Sequence, residues 1–109
     1  MSEVETQKHI YTVSELTRYI RVVLEDTFLQ VWVEGEVSNF TRHTSGHMYF
    51  SLKDEYSVLN CVLFKNVNQD IKFKMENGLK VVCLGRISVY DKRGQYQLYI
   101  ERIEPKGLG

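Results

Sequence analysis

Hydrophobic and polar residues alternate along most of this chain, in blocks separated by turn formers. Val31, Val33, Gly35 and Val37 take one parity, and Trp32, Glu34, Glu36 and Ser38 the other. Further on, Met48, Phe50 and Leu52 alternate with His47, Tyr49, Ser51 and Lys53. Such period-two patterning predicts half-buried antiparallel strands, each with one wet face. The stretch between them, Thr41-Arg42-His43-Thr44-Ser45-Gly46, is rich in turn residues. On the second strand the wet face carries a tyrosine, a lysine and a histidine, which suits a binding surface better than a core.

Three more blocks follow. Ser57 to Lys65 predicts a third strand, with Leu59, Cys61 and Leu63 opposite Asn60, Val62 and Phe64. Leu79 to Tyr90 predicts a fourth, and Gln95 to Ile103 a fifth with Tyr96, Leu98 and Ile100 opposite Gln97, Tyr99 and Glu101. Gly35 and Gly85 stand at strand midpoints, where glycine signals a bend or a close backbone approach. Asp91-Lys92-Arg93-Gly94 predicts a hairpin loop with a positive φ at its glycine. Asn66 to Asn77 is polar, with Val67, Ile71 and Met75 as anchors, and predicts a short helix or an irregular connection closed by Asn77-Gly78.

One stretch has helical spacing. Thr12-Val13-Ser14-Glu15 has the form of a capping box, and Leu16, Ile20, Val23 and Leu24 behind it share a stripe, with Arg18, Arg21 and Glu25 on other faces. A helix over about 13–26, packed on the strands, is expected. Residues 1–9 are polar and expected to be a disordered tail; Pro105 ends the fifth strand, and Lys106-Gly107-Leu108-Gly109 reads as the start of a linker. The order β-β-β-α-β-β with midstrand glycines predicts a mainly β chain, an OB-fold domain over residues 10–109 whose five-stranded barrel spans about 30–104. Barrels of that kind bind oligonucleotides on the face of strands two and three, with the loops after strands one and four as rims.

Composition refines this picture in three ways. A chain of 109 residues, 43% hydrophobic and 12% aromatic, supports one folded domain rather than disorder. Net charge is zero but unevenly placed: residues 1–39 hold 3 basic and 7 acidic side chains, residues 40–109 hold 11 and 7. The barrel portion is thus mildly basic, which is compatible with nucleic acid without being diagnostic of it. Cys61 and Cys83 lie in apolar strand patterns and are expected to be buried free thiols. The chain shows neither an apolar run approaching the ~20 residues that span a bilayer nor a basic-then-apolar leader, so a cytoplasmic protein without a membrane partner is expected.

The segments YTVSELTRYI, VWVEGEVSNFTRHTSGHMYFSLKD, LNCVLFK, NGLKVVCLGRISVYDKRGQYQLYI and EPKGLG resemble the N-terminal domain of the exodeoxyribonuclease VII large subunit, from about residue 10 onward. The blocks EGEVSN, SGHMYFSLKD and RGQYQL are the most specific. The resemblance implies a single-stranded DNA-binding OB module that feeds a separate nuclease domain. The family hydrolyses single-stranded DNA from either end into oligonucleotides, and its large subunit recruits small subunits. No catalytic residue carries over to this chain, so by itself it is expected neither to cleave DNA nor to need a cofactor. The alternative from a different class is an OB barrel that docks on its own or a partner subunit.

Binding single strands takes aromatic faces for bases and cations that follow the phosphates. Tyr49, mid-strand on the outward side, is the first stacking candidate. Phe40 and Phe64 either flank it or close the barrel end. Trp32 has the polar parity of strand one and is expected to pack under the helix. Arg42, Lys53, Lys65, Lys92 and Arg93 are the phosphate candidates, with Arg42 and Arg93 in the two rim loops. Asn60 offers a base edge both donor and acceptor, and His47 stands beside Tyr49. Ser45 and Gly46 would let backbone amides approach a phosphate. This reading sets Phe40 and Tyr49 open to water on one wall, within reach of Arg42 and Arg93. His43 and His47 lie four apart across a glycine turn with no third ligand nearby, so no metal site is expected. Asp54, Glu55, Glu34 and Glu36 read as turn and surface charges, too few for a two-metal nuclease centre.

Overall fold

A computed structural model describes residues 8–107. The tail over residues 1–7 and the linker residues Leu108 and Gly109 lie outside the described residues. A helix α1 (Val13–Thr27) precedes strands β1 (Val31–Arg42), β2 (Met48–Lys53) and β3 (Val58–Leu63). A one-turn helix α2 (Lys65–Asn68), strand β4 (Lys80–Tyr90), a 3-10 turn at Asp91–Arg93 and strand β5 (Gln95–Pro105) complete the chain. The strands close into a barrel in the order β1-β2-β3-β5-β4, as the element order predicts.

Closure is what the alternation leads to. One face of each strand is apolar, and curling the sheet on itself buries all five faces together and leaves no strand edge unpaired. Val37, Phe50, Leu52, Leu63, Val81, Leu98 and Ile100 form the interior, joined by Cys61, Cys83 and Met48. Each large side chain fully buried there contributes about 1.5–3 kcal/mol. Val67, Ile71 and Phe73 pack on the same core with Met75 buried among them, so the irregular stretch after α2 is anchored by its few apolar residues.

The two midstrand glycines have separate steric reasons. A Cβ on Gly35 would stand 3.1 Å from the Lys53 carbonyl oxygen across β2. At Gly85 it would collide with the Tyr99 carbonyl oxygen, at the point where β4 slips register against β5. Gly94 has a φ of 59° and ends the 3-10 turn in the left-handed region, as the hairpin loop requires.

Three expectations need correction. The helix does carry its capping box: Glu15 N–H donates to Thr12 Oγ1 at 3.0 Å, and Thr12 N–H donates to Glu15 Oε1 at 2.9 Å. It is not packed along the strands, however, and none of its residues is buried. Only its C-terminal end docks. Glu25 Oε2 accepts the Val89 N–H and Arg21 pairs with Asp91, both at 3.0 Å. Leu24 touches the core, whereas Leu16, Ile20 and Val23 stay exposed. The connection to β1 is only three residues, Phe28 to Gln30. It holds the last turn at the barrel rim, and the earlier turns find no wall to cover.

For the same reason Trp32 is not roofed by the helix. It is 54% exposed, with the Arg102 guanidinium 5.7 Å from its ring. Tyr96 has core parity yet is also exposed, because it sits beyond the barrel's end opposite Val89. There it lines an apolar cleft of about 410 Å³ with Leu24, Phe28, Val31, Val33 and Ile87.

Candidate nucleic-acid interface

The outward side chains of β2, β3, β5 and β4 form two rows that cross the strands. Strand pairing sets Tyr49 opposite Val62, Val62 opposite Tyr99, and Tyr99 opposite Arg86. The neighbouring row runs from Ser38 through Ser51 to Asn60, and from Gln97 to Ser88. Asn60 and Gln97 each precede the Cys61–Leu98 pair by one residue, which joins the two halves of that row. One row is aromatic and apolar, ending in a cation; the other is polar throughout. Between them Asn39, Tyr49, Ser51, Asn60, Val62 and Gln97 line a shallow cleft of about 250 Å³.

Within this wall Tyr49 is exposed, and the His43 ring meets it edge-on at 6.2 Å between centroids. Asn60 Oδ1 accepts a hydrogen bond from Ser51 Oγ at 3.3 Å, leaving the Asn60 amide hydrogens directed to other acceptors. Gln97 Nε2 donates to the Tyr99 hydroxyl at 3.3 Å, leaving its carbonyl oxygen. The cleft therefore offers one donor group and one acceptor side by side. The Watson–Crick edge of every base carries both kinds of partner.

A braced corner flanks the wall. The Lys65 N–H donates to His47 Nδ1 at 2.9 Å, and Asn68 Nδ2 donates to the Gly46 carbonyl at 2.8 Å. Gly46 has a φ of 95°, and a Cβ there would stand 3.0 Å from the Lys65 stem, so the lysine lies directly on the glycine. These contacts tie the β1–β2 loop to the start of α2. Phe64 is half-buried between His47, 5.2 Å away, and Tyr99, 4.9 Å away, both in edge-on geometry. Arg86 lies 4.9 Å from the centre of the Tyr99 ring on the other side.

Of the residues singled out in the sequence, Tyr49, His47, Asn60, Phe64 and Lys65 come together here, with Arg42 exposed at the adjoining end of β1 opposite Met48. Phe40 does not join them. Asn39 has a φ of 53°, and β1 bulges against β2 between Ser38 and Thr41. That extra residue reverses the alternation and turns Phe40 inward, where it packs on the core while its N–H donates to Asn77 Oδ1. Phe40 closes the barrel end instead of flanking Tyr49.

Lys92 and Arg93 are also separate. Their turn precedes Gln95, three residues before Leu98, so it lies beyond the Val58 end of β3. Arg42 stands at the Leu63 end, and five strand residues at ~3.3 Å each put about 17 Å between the two. Arg42 and Arg93 thus mark opposite ends of the wall rather than one grip. Lys53 stands in a separate cleft of mixed charge, with Glu34, Glu36, Asp54 and Glu55 beside Lys80 and Lys106. The Ser45 and Gly46 amides are already used, donating to His43 Nδ1 and the His43 carbonyl.

Backbone N–H groups of Tyr56 and Ser57 hold Asp54 below the usual carboxylate range, as in a turn acid. Among the described residues no three His, Cys, Asp or Glu side chains gather as a metal site would require.

Sequence reasoning passed over Tyr99, Arg86 and Gln97. The outward parity of Tyr99 and Gln97 is visible in the sequence. What sets them beside Tyr49 and Asn60 is the parallel pairing of β3 with β5, and no local pattern announces it.

A closed five-stranded barrel with an open aromatic and polar face on β2 and β3 defines the oligonucleotide-binding class of small barrels. The chain belongs to the OB-fold nucleic acid binding domain family, whose model matches residues 11–104. It is 48% identical over 107 residues to the exodeoxyribonuclease 7 large subunit of Geobacter sulfurreducens, covering 98% of this chain and 24% of that protein. Against the large subunit of Geotalea daltonii the identity is 52% over 103 residues, covering 94% of this chain and 23% of that one. The chain therefore spans about a quarter of the length of these relatives. The barrel is shared with a replication protein A heterotrimer bound to single-stranded DNA (TM-score 0.57, 14% identity, 70% of this chain and 56% of that one). It is shared too with asparaginyl-tRNA synthetase from Pyrococcus horikoshii (TM-score 0.64, 18% identity, 82% and 22%).

Proposed function

We propose that this barrel is the single-stranded DNA-binding module of an exodeoxyribonuclease VII large subunit, presenting substrate to a nuclease domain elsewhere in the enzyme. In that enzyme the nuclease domain cuts single strands from either end into oligonucleotides, and small subunits join the large one. The observation that carries the reading is the wall of β2 and β3, where an exposed Tyr49 stands between a braced, cation-bearing corner and a polar row. Tyr49 and Phe64 supply faces for bases, which contribute ~1–3 kcal/mol per stacked base in such proteins. Arg42 and Lys65 border the wall on one side and Lys92 and Arg93 on the other, flanking the phosphates of a strand that crosses between them. Asn60 and His47 hydrogen-bond the bases or backbone between them.

Fluorescence titration with an unlabelled oligonucleotide at low and rising salt tests this. Binding is expected, with log affinity falling by ~0.7 per phosphate contact for each decade of salt. No binding, or tight binding indifferent to salt, would overturn it.

A second reading is favoured by a different observation, the exposed stripe of Leu16, Ile20 and Val23 on α1. Apolar helix faces left open on small domains mark docking surfaces, here for the remainder of the large subunit or a partner. Absent oligonucleotide binding with retained association to the remaining subunit would favour that role over the first.

A further inference from the structure

We propose that a bound single strand does not stop at β2 and β3 but crosses β5, and that the Arg86 guanidinium lying on the Tyr99 ring is its second stacking platform. The inference rests on the single-strand-binding reading above and extends it to residues outside the face that the fold leads one to expect.

The pairing register supports it. Tyr49, Val62 and Tyr99 sit on three neighbouring strands in one transverse row. Val62 points outward yet is only 5% exposed, so the row is continuous, with no gap at β3. Neighbouring strands are ~4.8 Å apart, which puts Tyr49 and Tyr99 about 10 Å from each other, a span that two nucleotide steps of an extended single strand can cover. The polar row of Ser51, Asn60 and Gln97 runs alongside at the same pitch. Both rows therefore track across the strands, the direction a strand lying on this wall must take to use them.

Arg86 fits the end of that track. It is exposed, and among the described residues it makes no ion pair, unlike Arg21 and Arg102, which face Glu25 and Glu104. Its guanidinium is instead 4.9 Å from the centre of the Tyr99 ring. Tyr99 in turn is held by Gln97 at its hydroxyl and by Phe64 against its ring. A guanidinium fixed on an aromatic ring keeps one planar face for a base, and its edge N–H groups for a phosphate. Lysine in its place would keep the charge and lose the plane.

The experiment measures fluorescence anisotropy of labelled oligothymidylates of about 4 to 16 nucleotides, the range of site sizes for such barrels. It compares the unaltered chain with Arg86→Ala, Arg86→Lys and Tyr49→Ala, each checked for an unchanged melting temperature. Arg86→Ala is expected to weaken binding of the longer oligonucleotides ~5-fold or more and to leave the shortest unchanged. Arg86→Lys is expected to restore the salt dependence but not the affinity. Tyr49→Ala is expected to weaken binding at every length. Unaltered affinity of Arg86→Ala at all lengths, with Tyr49→Ala weakened, overturns the extension and leaves the binding function standing. A chain that binds no oligonucleotide overturns both.

Discussion

The backbone N–H of Lys65 donates to Nδ1 of His47, 2.9 Å away across the gap between the β1–β2 loop and α2. That bond, with the Phe64 ring set edge-on to the same imidazole, fixes one end of the wall formed by β2 and β3. Replacing His47 by Ala removes an acceptor at a partly exposed site, so a loss of about 1 kcal/mol is expected. A shift in the urea midpoint measures it. Oligonucleotide affinity should fall by more than this small destabilisation accounts for, because Phe64 and Lys65 lose their brace while most of the chain remains folded.

Tyr49 and Trp32 provide an internal comparison. Both rings are exposed, but Tyr49 stands in the transverse row with Val62 and Tyr99, whereas Trp32 lies opposite Leu84 and beside Arg102. Tyr49→Ala should weaken oligonucleotide binding ~5-fold or more, and Trp32→Ala should weaken it less. Parallel titrations at one salt concentration decide the matter, and the reverse order would place the strand on the other wall.

Gly85 has no room for a side chain, since a Cβ there meets the Tyr99 carbonyl and the Leu98 side chain. Gly85→Ala should therefore destabilise the barrel by about 2–3 kcal/mol, within the range for overpacking. It should also disturb Tyr99 and Arg86. Chemical denaturation gives the first effect, and a loss of binding to long oligonucleotides in the folded fraction gives the second.

Burial pushes the Cys61 thiol up to about 12 and raises Cys83 as well. An unfolded cysteine loses its proton near pH 8.5. Between those values the unfolded chain has released protons that the native chain retains, so rising pH favours unfolding. Neither thiol should react with an aromatic disulfide reagent at pH 8 until the chain opens, and both should react in denaturant. The urea midpoint should fall from pH 8 to pH 10, and fall less in Cys61→Ala. A native chain that reacts at once would contradict the buried position of both sulfurs.

Much of the fold is legible along the chain. The capping box at Thr12 and Glu15, the alternation of Met48, Phe50 and Leu52, and the left-handed turn at Gly94 are local rules read from neighbours. The site is only half legible. Tyr49 can be placed on the wet side of its strand because parity within six residues suffices. Phe40 cannot, because the bulge at Asn39 is visible only when β1 is paired with β2. The exposed helix stripe is a further case: periodicity shows that Leu16, Ile20 and Val23 share a face, and says nothing about whether a wall meets it.

The sequence by itself determined which residues line each strand face, where the helix begins, and that five strands would need to close on one another. Tertiary structure alone decided that β5 lies beside β3, that Arg86 comes to rest on Tyr99, and that Arg42 and Arg93 stand at opposite ends of the wall. The physical reason is range. Side-chain parity and capping depend on residues a few positions apart, whereas barrel closure sums weak preferences over strands some forty residues distant, and its register follows from packing rather than from any one segment.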